Sequence, residues 1–179
     1  MSEFVYSTNY ENYVRTRLDK FFDLYEYKFR KCAPLFICIG TPNVIGDALG
    51  PKIGTNLSML GYSVMGTLES PTARKECITL AKQFEVFNPA KYRPTMGIDA
   101  SIAKTGNFGS IGCSIEHGIT PAAGIDKTLN LKPLGESCIH VCVGTSLGDI
   151  IKASEYEITH IANIVSESIH RNIVGRGMI

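Results

Sequence analysis

The sequence predicts an α/β protein with a mostly parallel β-sheet. Short apolar runs typical of strands buried on both faces, among them residues 35–40 and 138–144, alternate with segments whose apolar residues recur at helical spacing. Strands and helices in alternation indicate parallel strands joined by right-handed crossovers. With 179 residues, 44% of them hydrophobic, the chain can bury a sizeable core, and we expect a single domain over residues 1–179.

The N-terminal segment 10–30 is predicted to form an amphipathic helix. Its apolar residues share one helical face and are Val14, Leu18, Phe21, Phe22, Tyr25 and Phe29. We expect this helix, within residues 1–30, to pack against the α/β core of residues 31–179 rather than against a partner chain.

The core elements are predicted in a regular order from residue 35 onward. They are a strand at 35–40, a helix at 48–60, a strand at 63–68, a helix at 71–85, strands at 95–100 and 138–144, and a closing helix at 154–173. The glycine-rich stretch 104–125 is expected to form loops and short strands over the rim of the sheet, where its backbone can approach a ligand closely.

Composition and charge exclude several classes of function. The net charge of +1 provides no broad attraction to nucleic acid or acidic membranes, and no apolar run of about 20 residues is present. The first residues lack the features of a signal peptide, and none of the six cysteines forms a C-x-x-C pair, so we expect a reducing, cytoplasmic environment. Because neither a Walker P-loop nor a G-x-G-x-x-G after the first strand occurs, no cofactor is expected.

Asp47 and Asp99 are the main candidates for catalysis. Asp47 lies in the loop after strand 35–40, and Asp99 comes directly after the apolar residues of the strand that begins at Thr95. Ligands of parallel sheets bind beyond the carboxyl ends of the strands, so we expect both carboxyl groups at one rim. Two neighbouring carboxyl groups do not both ionise easily, and one becomes an acid and the other a base. This pattern predicts hydrolysis, although each aspartate alone is also compatible with a cap or turn.

Other polar residues offer competing chemistries. Glu69 adds a third carboxylate after strand 63–68, and with Asp47 and His117 it would provide oxygen and nitrogen donors for a divalent metal, although no local spacing supports such a set. Residues 144–148, Gly-Thr-Ser-Leu-Gly, match the G-x-S-x-G nucleophile elbow around Ser146. We prefer a plain strand-to-helix turn there, because the histidines that follow lie in a predicted helix. His140 alternates within a strand and is interpreted as structural.

Four motifs occur in order along the chain. They are Ile-Gly-Thr at 39–41 with Gly-Asp-Ala-Leu-Gly-Pro at 46–51, Gly-Thr-Leu-Glu-Ser-Pro at 66–71, Gly-Ile-Asp-Ala at 97–100, and Gly-Ile-Thr-Pro-Ala-Ala-Gly at 118–124. Together they resemble the YyaC-type sporulation proteins and the related germination protease that degrades small acid-soluble spore proteins. The resemblance covers roughly residues 35–165, and Thr120 stands where the family has a histidine.

The resemblance implies a phosphorylase/hydrolase-like fold, a three-layer α/β/α sandwich. It implies that Asp47 and Asp99 match the catalytic aspartates of the germination protease. It also implies kinship with hydrogenase maturation proteases, whose nickel-binding acid, acid and histidine correspond loosely to Asp47, Glu69 and His117.

We therefore expect a sporulation-linked endopeptidase in which Asp47 activates water and Asp99 carries the proton. Its partner is expected to be a peptide or a small spore protein, with Asn43, Glu69 and Pro121 as substrate-binding or accessory residues and no metal. Self-association into a homo-oligomer is compatible with the sequence. The alternatives are a non-catalytic binding protein on the same fold, a metal-dependent maturation-type protease, and a serine hydrolase.

Overall fold

The computed structural model describes residues 8–86, 89, 93–103, 107–120 and 132–178. Its strands are β1 (Leu35–Cys38), β2 (Val64–Met65), β3 (Thr95–Ile102), β4 (Ile111–Ser114) and β5 (Ser137–Gly144). Its helices are α1 (Thr8–Phe29), α2 (Leu49–Met59), α3 (Arg74–Val86), α4 (Leu147–Lys152) and α5 (Glu155–Gly175).

The described strands form one five-stranded sheet in the order β2-β1-β3-β5-β4. Strands β2, β1, β3 and β5 run parallel, whereas β4 is antiparallel to β5 at one edge. The predicted α/β class with a mostly parallel sheet is therefore confirmed. The antiparallel strand comes from the glycine-rich stretch that was expected to supply short strands at the rim.

Side chains on alternate strand positions separate the interior into two clusters. On one face Phe36, Met96 and Ile139 pack under helices α1, α2 and α5. On the other face Ile37 and Cys138 pack under α3 with Leu80. Because successive residues of a strand point to opposite faces, this alternation gives three layers, with helices on both sides of the sheet.

Helix α1 packs on the protein's own core, as expected. Tyr10 and Tyr25 are fully buried with the apolar stripe between them. The helix also covers the outer edge of β4, where the Tyr13 hydroxyl accepts the Ile111 N–H at 3.0 Å and Arg17 Nη2 donates to the Ile111 carbonyl at 3.2 Å. An edge strand that would otherwise offer free main-chain groups is thereby satisfied by side chains. None of the helices in the described part of the chain has the apolar length that a membrane crossing requires.

Three boundaries differ from the sequence prediction. Strand β2 ends at Met65 because Gly66 turns the chain with a φ of 91°, where a Cβ would lie 1.9 Å from the Cys38 carbonyl oxygen. Thr72 then bridges Ile39 in parallel, so α3 begins only at Arg74. Strand β3 continues to Ile102, two residues beyond the predicted end at residue 100, so Asp99 lies well inside the strand rather than at its end.

Candidate active site

A tight loop between β1 and α2 positions Asp47. Gly40 has a φ of 144°, and a Cβ there would lie 2.0 Å from the main-chain oxygen of Asp47. Glycine is therefore required for the loop to close against the end of the strand. On its other side the loop is held by a hydrogen bond of 3.0 Å from the Gly46 N–H to the Ile150 carbonyl.

The carboxyl group of Asp47 is half-buried and accepts one main-chain hydrogen bond. Its Oδ2 accepts the Thr41 N–H at 2.7 Å. Burial raises the pKa of Asp47, whereas this hydrogen bond favours the ionised form and lowers it. Asp47 thus remains the more easily ionised carboxyl group of the site.

Asp99 lies within β3, opposite His140 of β5 in the parallel register. Its side chain points to the face that α3 covers, because Gly97, two residues earlier, meets Ile119 of the same cluster. Burial raises the pKa of Asp99 well above its usual range, and the negative charge of Asp47 raises it further. A hydrogen bond from the Ala100 N–H opposes these two effects without cancelling them. Burial and the charge of Asp47 thus both favour the protonated form of Asp99.

Both aspartates line one cleft of about 480 Å³ at the carboxyl ends of β1 and β3. We call it the aspartate cleft, and its walls also contain Arg74, Cys77, Ser101, His117, Ile119 and His140. The structure thus brings together the two residues that the sequence predicted as a pair. It does so by parallel pairing of neighbouring strands, which places Cys38 beside Ile98 and the following residues of both strands at one rim.

Sequence reasoning missed that His140 and Cys77 line this cleft and that Cys138 lies beside His140. His140 lies 3.2 Å from the Cys138 sulfur through its Nε2, and burial followed by the proximity of His117 lowers its pKa. Burial raises the pKa of Cys138 to about 11. Burial also raises the pKa of Cys77, to about 12, and the charges of Asp99 and Asp47 contribute to that increase. At neutral pH the thiols are therefore protonated and the imidazole is neutral. The spacing of Cys138 and His140, two residues apart in a strand, was the available signal that they share a face.

Two of the predicted accessory residues, Asn43 and Glu69, are not among the walls of the aspartate cleft. Asn43 is exposed in the loop, with its N–H 3.4 Å from the Thr41 hydroxyl oxygen. Glu69 is exposed in the turn that follows β2. Pro121 falls outside the described residues.

The metal hypothesis required Asp47, Glu69 and His117 to converge, and they do not. The described residues contain no group of three histidine, cysteine, aspartate or glutamate side chains placed to hold a metal ion. Asp47 and His117 share the cleft, but Glu69 is not part of it. This donor set therefore does not fit a nickel site.

Ser146 serves as the N-cap of α4. Its hydroxyl oxygen accepts the Asp149 N–H at 3.3 Å, and the Asp149 carboxylate accepts the Ser146 N–H at 2.9 Å. This reciprocal pair is a capping box, which satisfies the free donors at the start of a helix. The preferred interpretation of residues 144–148 as a strand-to-helix turn is confirmed.

Comparisons with known proteins identify a family and a similarity to a solved structure. The family model described as "Protein of unknown function (DUF1256)" matches residues 6–170. The chain is similar in structure to the [NiFe] hydrogenase maturation protease HybD from Thermococcus kodakarensis, with 16% sequence identity and a TM-score of 0.40 over 74% of this chain and 95% of that one. No curated protein gives a significant match.

Proposed function

The chain belongs to the family described as protein of unknown function (DUF1256), and from the geometry of its cleft we propose that it is a peptidase that uses Asp47 and Asp99. YyaC-type proteins are that family. The observation that carries the proposal is the placement of two carboxyl groups in one cleft, where the charge of one raises the pKa of the other. Such pairs divide the roles of acid and base between two similar residues.

The surroundings of the two carboxyl groups suit different roles. Asp47 receives the Thr41 N–H, which favours a carboxylate that can accept a proton. Asp99 has its pKa raised by burial and by Asp47, which favours a carboxylic acid that can donate one. The two groups titrate as a coupled pair, so the macroscopic pKa values belong to the pair rather than to either residue.

In the proposed hydrolysis, Asp47 is the proton acceptor and Asp99 is the proton donor. Asp47 takes a proton from a water molecule as the water oxygen bonds to the carbonyl carbon of the peptide. Asp99 gives its proton to the amide nitrogen as the C–N bond breaks, which releases an amine and a carboxylic acid. Exchange of protons with solvent moves the proton from Asp47 back to Asp99 and restores the pair.

The biological setting we propose is that of the germination-protease type. The four motifs that resemble this group support a peptide or small spore protein as substrate, within the cytoplasm of a sporulating cell or spore. In this proposal Asn43 and Glu69 contact the substrate outside the reacting centre, and Pro121 is a further substrate-binding or accessory residue.

The test is the cleavage of small acid-soluble spore proteins by the purified protein. We expect Asp47→Asn and Asp99→Asn each to lower the cleavage rate by at least about 100-fold, because each removes one proton-transfer group. Ser146→Ala is the matched control and should cleave at the wild-type rate. Adding a chelator should leave the rate of the wild-type protein unchanged.

The contrary outcomes separate the alternatives. Cleavage that a chelator abolishes would favour a metal-dependent protease, and cleavage lost in Ser146→Ala would favour a serine hydrolase. A folded wild-type protein that binds these substrates without cleaving them would reject the peptidase and favour a binding protein.

A further inference from the structure

A second cavity of about 480 Å³ lies on the other side of the start of α3 from the aspartate cleft. We propose that it binds an extended segment of the peptide substrate as an added strand against β2, a few residues away from the cleaved bond. We call this cavity the edge groove, and its walls include Val64, Met65, Ser70, Thr72, Thr79 and Leu80. The inference rests on the proposed peptidase function and assigns a second contact region to the same substrate.

The free edge of β2 supplies the main-chain groups that an added strand needs. Strand β2 is the last in the order of the described strands, so only β1 pairs with it. The Phe36 N–H donates to the Ser63 carbonyl at 3.0 Å, and Phe36 is paired with Val64. In a parallel pair this pattern turns the N–H and C=O of Val64 away from β1, toward the edge groove. An extended peptide can accept and donate hydrogen bonds there, as in other cases of strand addition.

The side chains of the edge groove suit a peptide of mixed polarity. Half-buried Met65 and buried Leu80, which belong to the cluster beneath α3, offer apolar surface, and Ser70 and Thr79 add hydroxyl groups. One lysine and one glutamate, Lys75 and Glu76, also line it, so no single sign of charge dominates. A strand that places apolar side chains at alternate positions fits this surface better than a phosphate or a nucleic acid does.

The edge groove and the aspartate cleft adjoin across the first turns of α3. Ala73, Arg74 and Cys77 line the aspartate cleft, whereas Lys75 and Thr79 line the edge groove. A helix is about 10–12 Å across with its side chains, and an extended chain advances roughly 3.3 Å per residue. The segment in the edge groove is therefore separated from the cleaved bond by roughly three to four residues.

A peptide bound in the edge groove would also pass close to the exposed side chain of Glu69. Glu69 lies in a turn closed by a hydrogen bond of 3.0 Å from the Thr67 N–H to the Ser70 carbonyl. Both of those residues line the edge groove. Glu69 therefore lies beside a chain bound at β2, which gives the predicted accessory role of this residue a location away from the reacting centre.

Two variants and one control isolate the edge groove. Val64→Pro removes the outward N–H but leaves the bonds between β1 and β2 intact, and proline is tolerated on edge strands. Thr79→Trp fills the edge groove from α3. Lys82→Trp is the matched control, because Lys82 is exposed on the same helix and lies outside the walls of both cavities. Circular dichroism establishes that each variant is folded.

The measurement is binding of a fluorescently labelled small acid-soluble spore protein to the Asp99→Asn background, together with hydrogen exchange at the Val64 amide. We expect binding to slow exchange at Val64 and Val64→Pro to raise Kd roughly five- to tenfold, the effect of about one lost hydrogen bond. Thr79→Trp should raise Kd at least as much, because the indole ring occupies the space of the bound segment. Lys82→Trp should leave Kd unchanged. If substrate leaves hydrogen exchange at the Val64 amide unaltered and both variants bind with wild-type affinity, the proposal that the edge groove binds substrate is overturned.

The outcomes for the edge groove and for the peptidase are distinguishable. Protection of Val64 without cleavage by the wild type would reject the peptidase and retain the edge groove. Cleavage without protection of Val64 would reject the edge groove and retain the peptidase. Absence of both binding and cleavage would overturn both proposals.

Discussion

At the scale of single residues, Asp99 is a carboxyl group held where its ionisation is unfavourable. Burial and the charge of Asp47 both raise its pKa, and one main-chain hydrogen bond does not compensate for them. A group whose pKa is higher in the folded than in the unfolded protein adds stability at low pH. That stability is lost as the pH rises from about 3.9, the value in an unfolded chain, through the folded pKa.

Asp99→Asn is therefore expected to stabilise the protein at neutral pH while abolishing cleavage. The amide has a similar shape without the charge, so the free energy of unfolding should rise by roughly 1 kcal/mol at pH 7 and by less at pH 4. Urea unfolding at the two pH values measures the difference. Glu69→Gln, at an exposed carboxylate, is the matched control and should change neither value. A gain of equal size at both pH values would contradict the electrostatic cause.

The pH dependence of cleavage follows from the same pair. Activity requires Asp47 ionised and Asp99 protonated, so the rate should rise with pH as Asp47 loses its proton and fall as Asp99 loses its own. Because the pKa values of both groups are raised, both limbs should lie above the pH at which ordinary aspartates titrate. The measurement is kcat/KM between pH 3 and 9. A rate that is flat from pH 4 upward would argue against a protonated Asp99 in the reaction.

At the scale of elements, α1 completes the sheet at its β4 edge. The Tyr13 hydroxyl and the Arg17 guanidinium satisfy the N–H and C=O of Ile111, and the Tyr10 hydroxyl donates to the Gly109 carbonyl at 2.9 Å. The helix therefore covers the outer edge with specific polar contacts as well as apolar packing. Its amphipathic pattern predicted the packing but contained no signal for these contacts.

Tyr13→Phe is expected to destabilise the fold without affecting cleavage. It leaves the Ile111 N–H without the hydroxyl acceptor, which costs roughly 1–3 kcal/mol for a buried donor. Thermal unfolding measures the loss, and Tyr27→Phe on the exposed side of α1 is the control, since Tyr27 is 91% exposed. Equal stability of the two variants would show that the edge of β4 is satisfied in another way.

At the scale of the whole molecule, the two faces of the sheet are unequal. In the described part of the chain, the cluster beneath α1, α2 and α5 contains many more buried apolar residues than the cluster beneath α3. The aspartate cleft and the edge groove both lie beside the thinner layer. In the described part of the chain, the site therefore lies on the side of the sheet that has the smaller apolar cluster.

Native-state hydrogen exchange should detect this asymmetry. Because local opening requires less energy where fewer apolar contacts are lost, amides of α3 should exchange faster than those of α5 and β3. Exchange measured residue by residue under native conditions tests the expectation. Equal protection of α3 and α5 would show that the molecule opens only as a unit.

Several features of this protein were determined by its sequence alone. Apolar runs and helical spacing predicted the parallel α/β class and the approximate positions of its main strands and helices, because periodicity is a local property. The loop motif around Asp47 and the strand motif around Asp99 selected the two carboxyl groups. Apolar spacing also predicted that α1 packs on the core.

Tertiary structure decided which residues meet. Register placed His140 beside Asp99 and the β3 strand continued past it, and both depend on pairing with distant strands rather than on local propensity. The order of the strands places β2 at an edge of the sheet, which forms one side of the edge groove. The chain turns at Gly66, and Glu69 therefore lies outside the aspartate cleft. Such juxtapositions join residues far apart in the chain, and a pattern read along one segment contains no information about them.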